Sequence, residues 1–170
     1  MISKKIEKAF NDQVNAEFYS AYLYLSMKAY FESLDLKGFA NWMQCQTQEE
    51  LFHGMKIYGH INERGGRVKL SVIEKPQFEW KSPLDAFHAA LNHEQKVTGL
   101  INNLVDLALK EKDHASNIFL QWFVTEQVEE EDNAHDIIQK LKLMGDAPGG
   151  LFMVDKELAA RVFTMPSSEE

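Results

Sequence analysis

The chain has 170 residues, 45% of them hydrophobic, and a formal net charge of -8, which suits one domain that buries its own core and favours cations over nucleic acid as partners. A single cysteine, Cys45, excludes an internal disulfide framework and fits a reducing compartment. No apolar run is long enough to span a bilayer and Met1-Ile2-Ser3-Lys4-Lys5 leads straight into an amphipathic pattern with no signal-peptide core, so the expectation is a cytoplasmic protein without a membrane partner.

Hydrophobic spacing predicts four long helices. The first carries Ile6, Phe10, Gln13, Glu17, Ser20, Tyr24, Met27 and Phe31 at alternating steps of four and three. The second carries Phe39, Met43, Gln46, Glu50, His53, Ile57 and His60 in the same rhythm. Few residues separate them, around Ser33 to Leu36, so they pack antiparallel. Gly65 to Ser82 follows, with Gly65-Gly66, Pro76 and a strand-like patch at Val68 to Ile73. Extended, such a segment covers up to ~60 Å, against ~40 Å for a helix the length of the second. It can therefore run the length of a bundle and make the second and third helices parallel. The third seam is Leu84, Phe87, Leu91, Glu94, Thr98, Ile101, Val105 and Ala108; the fourth is Phe123, Gln127, Glu130, Ala134, Ile137, Leu141 and Met144. These two meet near Lys110 to Asp113 and are again antiparallel. The resulting expectation is an all-α four-helix bundle with a long crossover between helices two and three. After a break at Ala147-Pro148-Gly149-Gly150, a short amphipathic stretch from Leu151 to Phe163 is marginal alone and has to dock. Residues 1–163 form the domain and 164–170 a polar tail. Apolar residues flanking the seams, such as Leu23, Leu25, Phe119 and Trp122, predict an outer surface partly buried against something else.

Each seam is interrupted near its middle by an acid: Glu17, Glu50, Glu94 and Glu130. One buried glutamate alone reads as a hydrogen-bonded register device. Four at one height are different. The midpoint of positions 17 and 50 is about 33.5, inside the first turn, and that of 94 and 130 is about 112, inside the third connection; residues equidistant from an antiparallel turn lie level. Glu50 and Glu94 sit at similar depths in the parallel pair, and His53 shares the face of Glu50 at the i+3 spacing. Two unit charges ~5 Å apart at an effective dielectric of ~20 repel by ~3 kcal/mol, and burial adds to that. A divalent cation relieves both. Carboxylates with one imidazole suit iron or manganese, and this many ligands suit two ions. A second acidic group, Glu49, Glu126, Glu129 and Glu131, adjoins the layer as either a solvated face or a third metal position.

The residues closely resemble the non-haem ferritins of bacteria and archaea over essentially the whole chain. The resemblance rests on Asn15-Ala16-Glu17, Ser20-Ala21-Tyr22 and Tyr24-Leu25, then Gln48-Glu49-Glu50 with His53, then Arg64-Gly65-Gly66-Arg67-Val68. Glu126-Gln127-Val128-Glu129-Glu130-Glu131 and Asp155-Lys156-Glu157-Leu158 complete it. It implies one iron held by Glu17, Glu50 and His53, with Glu50 bridging to a second iron held by Glu94 and Glu130 and Gln127 beside it. It implies third-position ligands in Glu49, Glu126, Glu129 and Glu130, and a tyrosine near the site, Tyr24, that supplies an electron; Trp122 either does the same or packs. It further implies a shell of twenty-four subunits with the short last helix at four-fold channels, which accounts for the docking need of Leu151 to Phe163. The activity implied is oxidation of ferrous iron by oxygen or peroxide, followed by storage as a ferric mineral.

Departures from related patterns narrow this. General di-iron bundles repeat a Glu-x-x-His motif on two helices, whereas the second half here reads Gln127-x-x-Glu130. That sets the chain apart from bacterioferritins, rubrerythrin-like proteins and oxygenases. Haem-binding bacterioferritins carry methionine directly after the bridging glutamate; Leu51 stands here, so no haem is expected. Animal ferritins line three-fold channels with acids at the start of helix four, where this chain has Asp113, His114, Asn117 and Leu120. Two rival readings are a shell that stores iron without oxidising it, and a di-iron oxygenase or peroxidase acting on another substrate. The complete set of acids with His53 argues against the first, and Gln127 against the second.

Overall fold

A computed structural model describes residues 1–145, 147 and 149–165 of the chain. Its helices are α1 Lys4–Ser33, α2 Lys37–Glu63, α3 Pro83–Lys110, α4 His114–Met144 and α5 Gly150–Leu158. Their starts are chemically marked. The Ser3 hydroxyl accepts from Ile6 N at 3.3 Å, Ser82 from Asp85 N at 3.1 Å with Pro83 next in line, and the Asp113 carboxylate from Ser116 N at 3.1 Å. The two short turns each place one residue in the left-handed region, Asp35 at φ 57° and Lys112 at φ 56°. Both hairpins are antiparallel, as their spacing predicts.

The crossover fixes how the hairpins are joined. Its start is tied to the beginning of the chain by Ile2 N donating to Arg64 O at 2.9 Å. It then climbs along α1: Asn11 binds Arg67 O and Lys69 N, Asn15 donates to Val72 O, and Ser26 donates to Gln77 O. Trp80 ends the climb against Tyr30, ring centroids 5.2 Å apart. The segment thus carries the chain from the far end of α2 back to the end where α2 began, and α3 sets off parallel to α2. Val68 to Ile73 is not a strand, contrary to its composition. β-Branched residues give only a propensity, and here the backbone groups find asparagine side chains of α1 where a strand would need a partner strand.

The core is divided in two. One apolar cluster joins the second half of α1 and the first half of α2 to the start of α3 and the end of α4, with Phe31, Phe39 and Phe87 at its centre. The other gathers Ile6, Phe10, Ile57, Ile61, Ile101, Leu120 and Phe123 at the opposite end. Between them every long helix contributes buried polar side chains: Glu17, Gln46, Glu50, His53, Glu94, Gln127 and Glu130.

The fifth helix is shorter than the amphipathic stretch suggests, ending at Leu158 rather than Phe163. It docks within its own chain, burying Val154 and Leu158 in the first cluster. Asp155 caps α2 from outside: its Oδ1 accepts from Gly38 N at 2.8 Å and Phe39 N at 3.1 Å, where Leu36 offers no side-chain cap. A Cβ at Gly38 would lie 1.6 Å from the carbonyl oxygen of Asp155, so glycine is what lets the two helices meet. Part of the docking need read from the sequence is therefore met inside the subunit, while Phe152 and Met153 stay exposed. Of the outer flank residues, Leu23 is buried in the chain's own core and Leu25 is exposed, together with Tyr22, Leu51 and Met55. Pro148 in the break before α5 and residues 166–170 of the expected tail lie outside the described residues. No helix among the described residues is long and apolar enough to cross a membrane.

Candidate metal centre

Glu17 comes from α1, and Glu50 and His53 from successive turns of α2, where the i+3 spacing puts both on the inner face. One ligand atom from each lies within 4.8 Å of the others, and all three side chains are buried. From the opposite hairpin come Glu94 on α3 and Glu130 on α4, each 5% exposed or less. The hairpin midpoints place these acids level, and the charges are close enough that Glu94, Glu17 and Glu130 all act on Glu50.

Amide and phenol donors hold the carboxylates from one side each. Gln13 Nε2 donates to Glu17 Oε1 at 2.9 Å and Gln46 Nε2 to Glu130 Oε2 at 2.7 Å. Glu94 accepts from Gln127 Nε2 at 3.2 Å and from the Tyr24 hydroxyl. Gln127 also reaches Glu94 O and Thr98 Oγ1, both at 3.3 Å. Two oxygens, Glu17 Oε2 and Glu50 Oε2, are buried without an N–H or hydroxyl donor. Such atoms are costly unless a proton or a cation serves them. Glu17 and Glu50 lie close enough to act on one another, so a proton on either eases their repulsion when no cation does.

Electrostatics follows from burial. Desolvation raises the carboxyls of Glu17, Glu50 and Glu130, and repulsion from Glu94 adds to it at Glu50 and Glu130, which lie well above the ordinary range. Glu94 is raised to about 7, mostly by burial, with the Tyr24 and Gln127 hydrogen bonds pulling the other way. The same burial, with Lys56 adding to it, depresses His53 to about 4. The imidazole is therefore neutral near pH 7, the form that binds metals. Its nitrogens lie 3.7 Å from Glu50 Oε2 and 3.9 Å from Glu126 Oε2, too far to be engaged in hydrogen bonds. Trp122 and Phe123 set the ring edge-on at 5.3 and 5.9 Å. Tyr24 is fully buried, and burial beside Glu94 keeps its phenol protonated. Oxygen donors with one neutral imidazole, two of the oxygens unpartnered, fit a hard or borderline cation such as iron.

The ferritin-like domain family matches residues 7–144 of the chain. The chain belongs to the ferritin family. It is 45% identical over 161 residues to a bacterial non-haem ferritin of Bacteroides fragilis, covering 95% of this chain and 100% of that one. It is 41% identical over 163 residues to a bacterial non-haem ferritin of Staphylococcus aureus, covering 96% and 98%. Among solved structures it is similar to an engineered closed form of the Archaeoglobus fulgidus ferritin, at 55% identity with a TM-score of 0.95 over 96% of this chain and 100% of that one. The novel open-pore ferritin of the same archaeon is also 55% identical, with a TM-score of 0.94 over 95% and 100%. As a ferritin, this protein stores iron and has ferroxidase-type activity.

The second acidic group is looser in this ferritin than the first. Among the described residues, Glu17, Glu50 and His53 are the set whose ligand atoms converge. Glu49 is paired with Arg161, whose Nη2 donates to its Oε2 at 2.7 Å. Glu126 is half-buried near His53 and Lys56, and Glu129 faces solvent. Sequence reasoning placed Gln13 and Gln46 on their seams without assigning them a task; each lies one turn before a site glutamate of its own helix, which is the signal that could have found them. Arg161 gave no signal: it lies beyond the last helix, 112 positions from Glu49.

Proposed function

We propose that this ferritin oxidises its substrate, ferrous iron, at a two-iron site formed within one subunit. Glu17, Glu50 and His53 hold one ferrous ion, and Glu50 is shared with a second held by Glu94 and Glu130. The observation that carries this is the buried triad of Glu17, Glu50 and His53 with two carboxylate oxygens left unpartnered. Gln127 and Tyr24 act on Glu94, fixing its orientation by hydrogen bonds. Each ferrous ion gives up one electron. With oxygen as oxidant, two electrons and two protons make hydrogen peroxide; with peroxide as oxidant, they make two waters. Carboxylates favour the ferric product because hard anionic donors stabilise the higher charge. Protons that the raised carboxyls release on binding iron are available to the reduced oxygen.

Ferric ions then pass to the interior of a shell and accumulate as mineral. Twenty-four subunits are the expected number, with the uncovered apolar residues of α1, α2 and α5 meeting neighbouring subunits. Glu49, Glu126, Glu129 and Glu130 would form a third cation position along the way. The compartment is the cytoplasm, in keeping with the lone buried thiol of Cys45.

The test is to replace Glu50 or His53 with alanine, confirm shell assembly by size exclusion, and follow oxygen consumption on adding ferrous iron. Initial rates should fall at least tenfold. Rates equal to those of the unaltered protein in both variants would remove the two-iron site from the reaction.

A further inference from the structure

The segment after α5 brings a fixed cation to the acidic group beside the metal centre. We propose that Arg161 is a built-in counter-ion that holds the third cation position closed and must be displaced before a cation binds there. This rests on the reading of Glu49 as a ligand of that position.

Arg161 is held at both ends by one face of α2. Its carbonyl accepts from Asn41 Nδ2 at 2.9 Å and from Cys45 Sγ at 3.7 Å. Its guanidinium lies over Trp42, 4.7 Å from the ring centroid, and reaches Glu49 Oε2 at 2.7 Å. Asn41, Trp42, Cys45 and Glu49 fall along a single stripe of the helix. The ion pair is about four-fifths shielded, the side chains being 21% and 23% exposed, so salt screens it only partly. Around it stand Glu126, Glu129 and Glu130, whose charges would otherwise repel Glu49. The guanidinium thus does for this cluster what a bound cation would do, and both compete for the Glu49 carboxylate. The closed arrangement is also incomplete. Arg161 Nη1 is buried without an acceptor, a cost that displacement relieves. A residue that only anchored the C-terminal segment would need its carbonyl on Asn41 and a side chain against Trp42, but not a charged donor aimed at Glu49.

The test titrates zinc, which is redox-inert, into the metal-free assembled shell at pH 7 by calorimetry. Arg161→Gln should tighten the weakest class of zinc sites about tenfold, with the tighter classes unchanged, while Arg161→Lys stays near the unaltered protein. Arg161→Met, whose unbranched thioether can take the guanidinium's place against Trp42, repeats the charge removal should the glutamine variant assemble poorly. Adding Glu49→Gln to either should abolish the gain. A third zinc bound equally well with and without Arg161 overturns the counter-ion role and leaves the third position standing, as does a gain that survives Glu49→Gln. No third zinc in any variant overturns both the role and the reading of Glu49 on which it rests.

Discussion

Glu94 is one of the buried acids by which the metal-free bundle is destabilised, and Glu94→Gln isolates its share of that cost. Burial raises its carboxyl from 4.5 to about 7. The folded protein therefore keeps a proton that the unfolded chain gives up on passing 4.5. Stability is fully present below pH 4.5, falls as pH rises through the interval to about 7, and stays lower above it. At ~1.4 kcal/mol per pH unit between 4.5 and about 7, the ionised side chain costs about 3 kcal/mol at pH 8. Glutamine keeps the shape and removes the charge. Its carbonyl can accept from Gln127, and its amide can donate to Tyr24 if the phenol turns from donor to acceptor, an exchange costing about 1 kcal/mol. The net gain is about 2 kcal/mol at pH 8, or ~4–8 °C in melting temperature for a chain this size, and it turns into a loss of about 1 kcal/mol near pH 4.5, where only the exchange cost remains. Chelator-treated shells would be melted at a series of pH values and the variant compared with the unaltered protein at each, since dissociation of the shell overlaps unfolding. A melting difference that does not change between pH 5 and pH 8, or a variant less stable at pH 8, refutes the reasoning.

Tyr24→Phe removes a donor that lowers Glu94, so the carboxyl rises further and the pH at which zinc binding is half-complete should move upward; an unmoved midpoint counts against the hydrogen bond's role. Zinc added to metal-free shells in weak buffer at pH 6.5 should release protons, because Glu94, raised to about 7, is mostly protonated there and Glu50 and Glu130 are raised in the same direction; a pH trace that does not move contradicts that state. Gly38→Ala drives a Cβ against the Asp155 carbonyl, lifting α5 and uncapping α2 at a cost of about 2–4 kcal/mol. Limited proteolysis before α5 should speed up markedly, and an unchanged digestion pattern would show that the contact yields without undocking.

The fold was legible because period and turn length carry it. The seams hold their rhythm through Glu17, Glu50, Glu94 and Glu130, so the helices, their pairing and the level of the acids could be read by counting. The crossover direction followed from length alone. What period could not reveal was contact between distant segments. Val68 to Ile73 has strand composition, yet its partners are Asn11 and Asn15 of a helix. Asp155 capping α2 and Arg161 meeting Glu49 each join positions more than a hundred residues apart, and no spacing rule connects them. The end of α5 was misjudged because apolar residues beyond Leu158 continue the pattern, although 159–163 lie along α2 as a non-helical strap.

The divided core explains how a small bundle tolerates such a site. Four buried acids would be expected to favour partial unfolding at their own level. The apolar clusters lie at either end, and each draws on all four long helices. Each cluster clamps one end of the layer, so relaxing the acids outward requires at least one cluster to open. At a few kcal/mol for each large side chain unburied, opening Phe31, Phe39 and Phe87 together outweighs the ~3 kcal/mol cost of an ionised Glu94. The protein therefore holds its carboxylates close while they repel, and a cation entering the layer meets ligands already gathered. The repulsion that lowers the stability of the metal-free state becomes the driving force for binding, and the sharper the pH dependence of stability in the metal-free shell, the stronger the cation affinity should be.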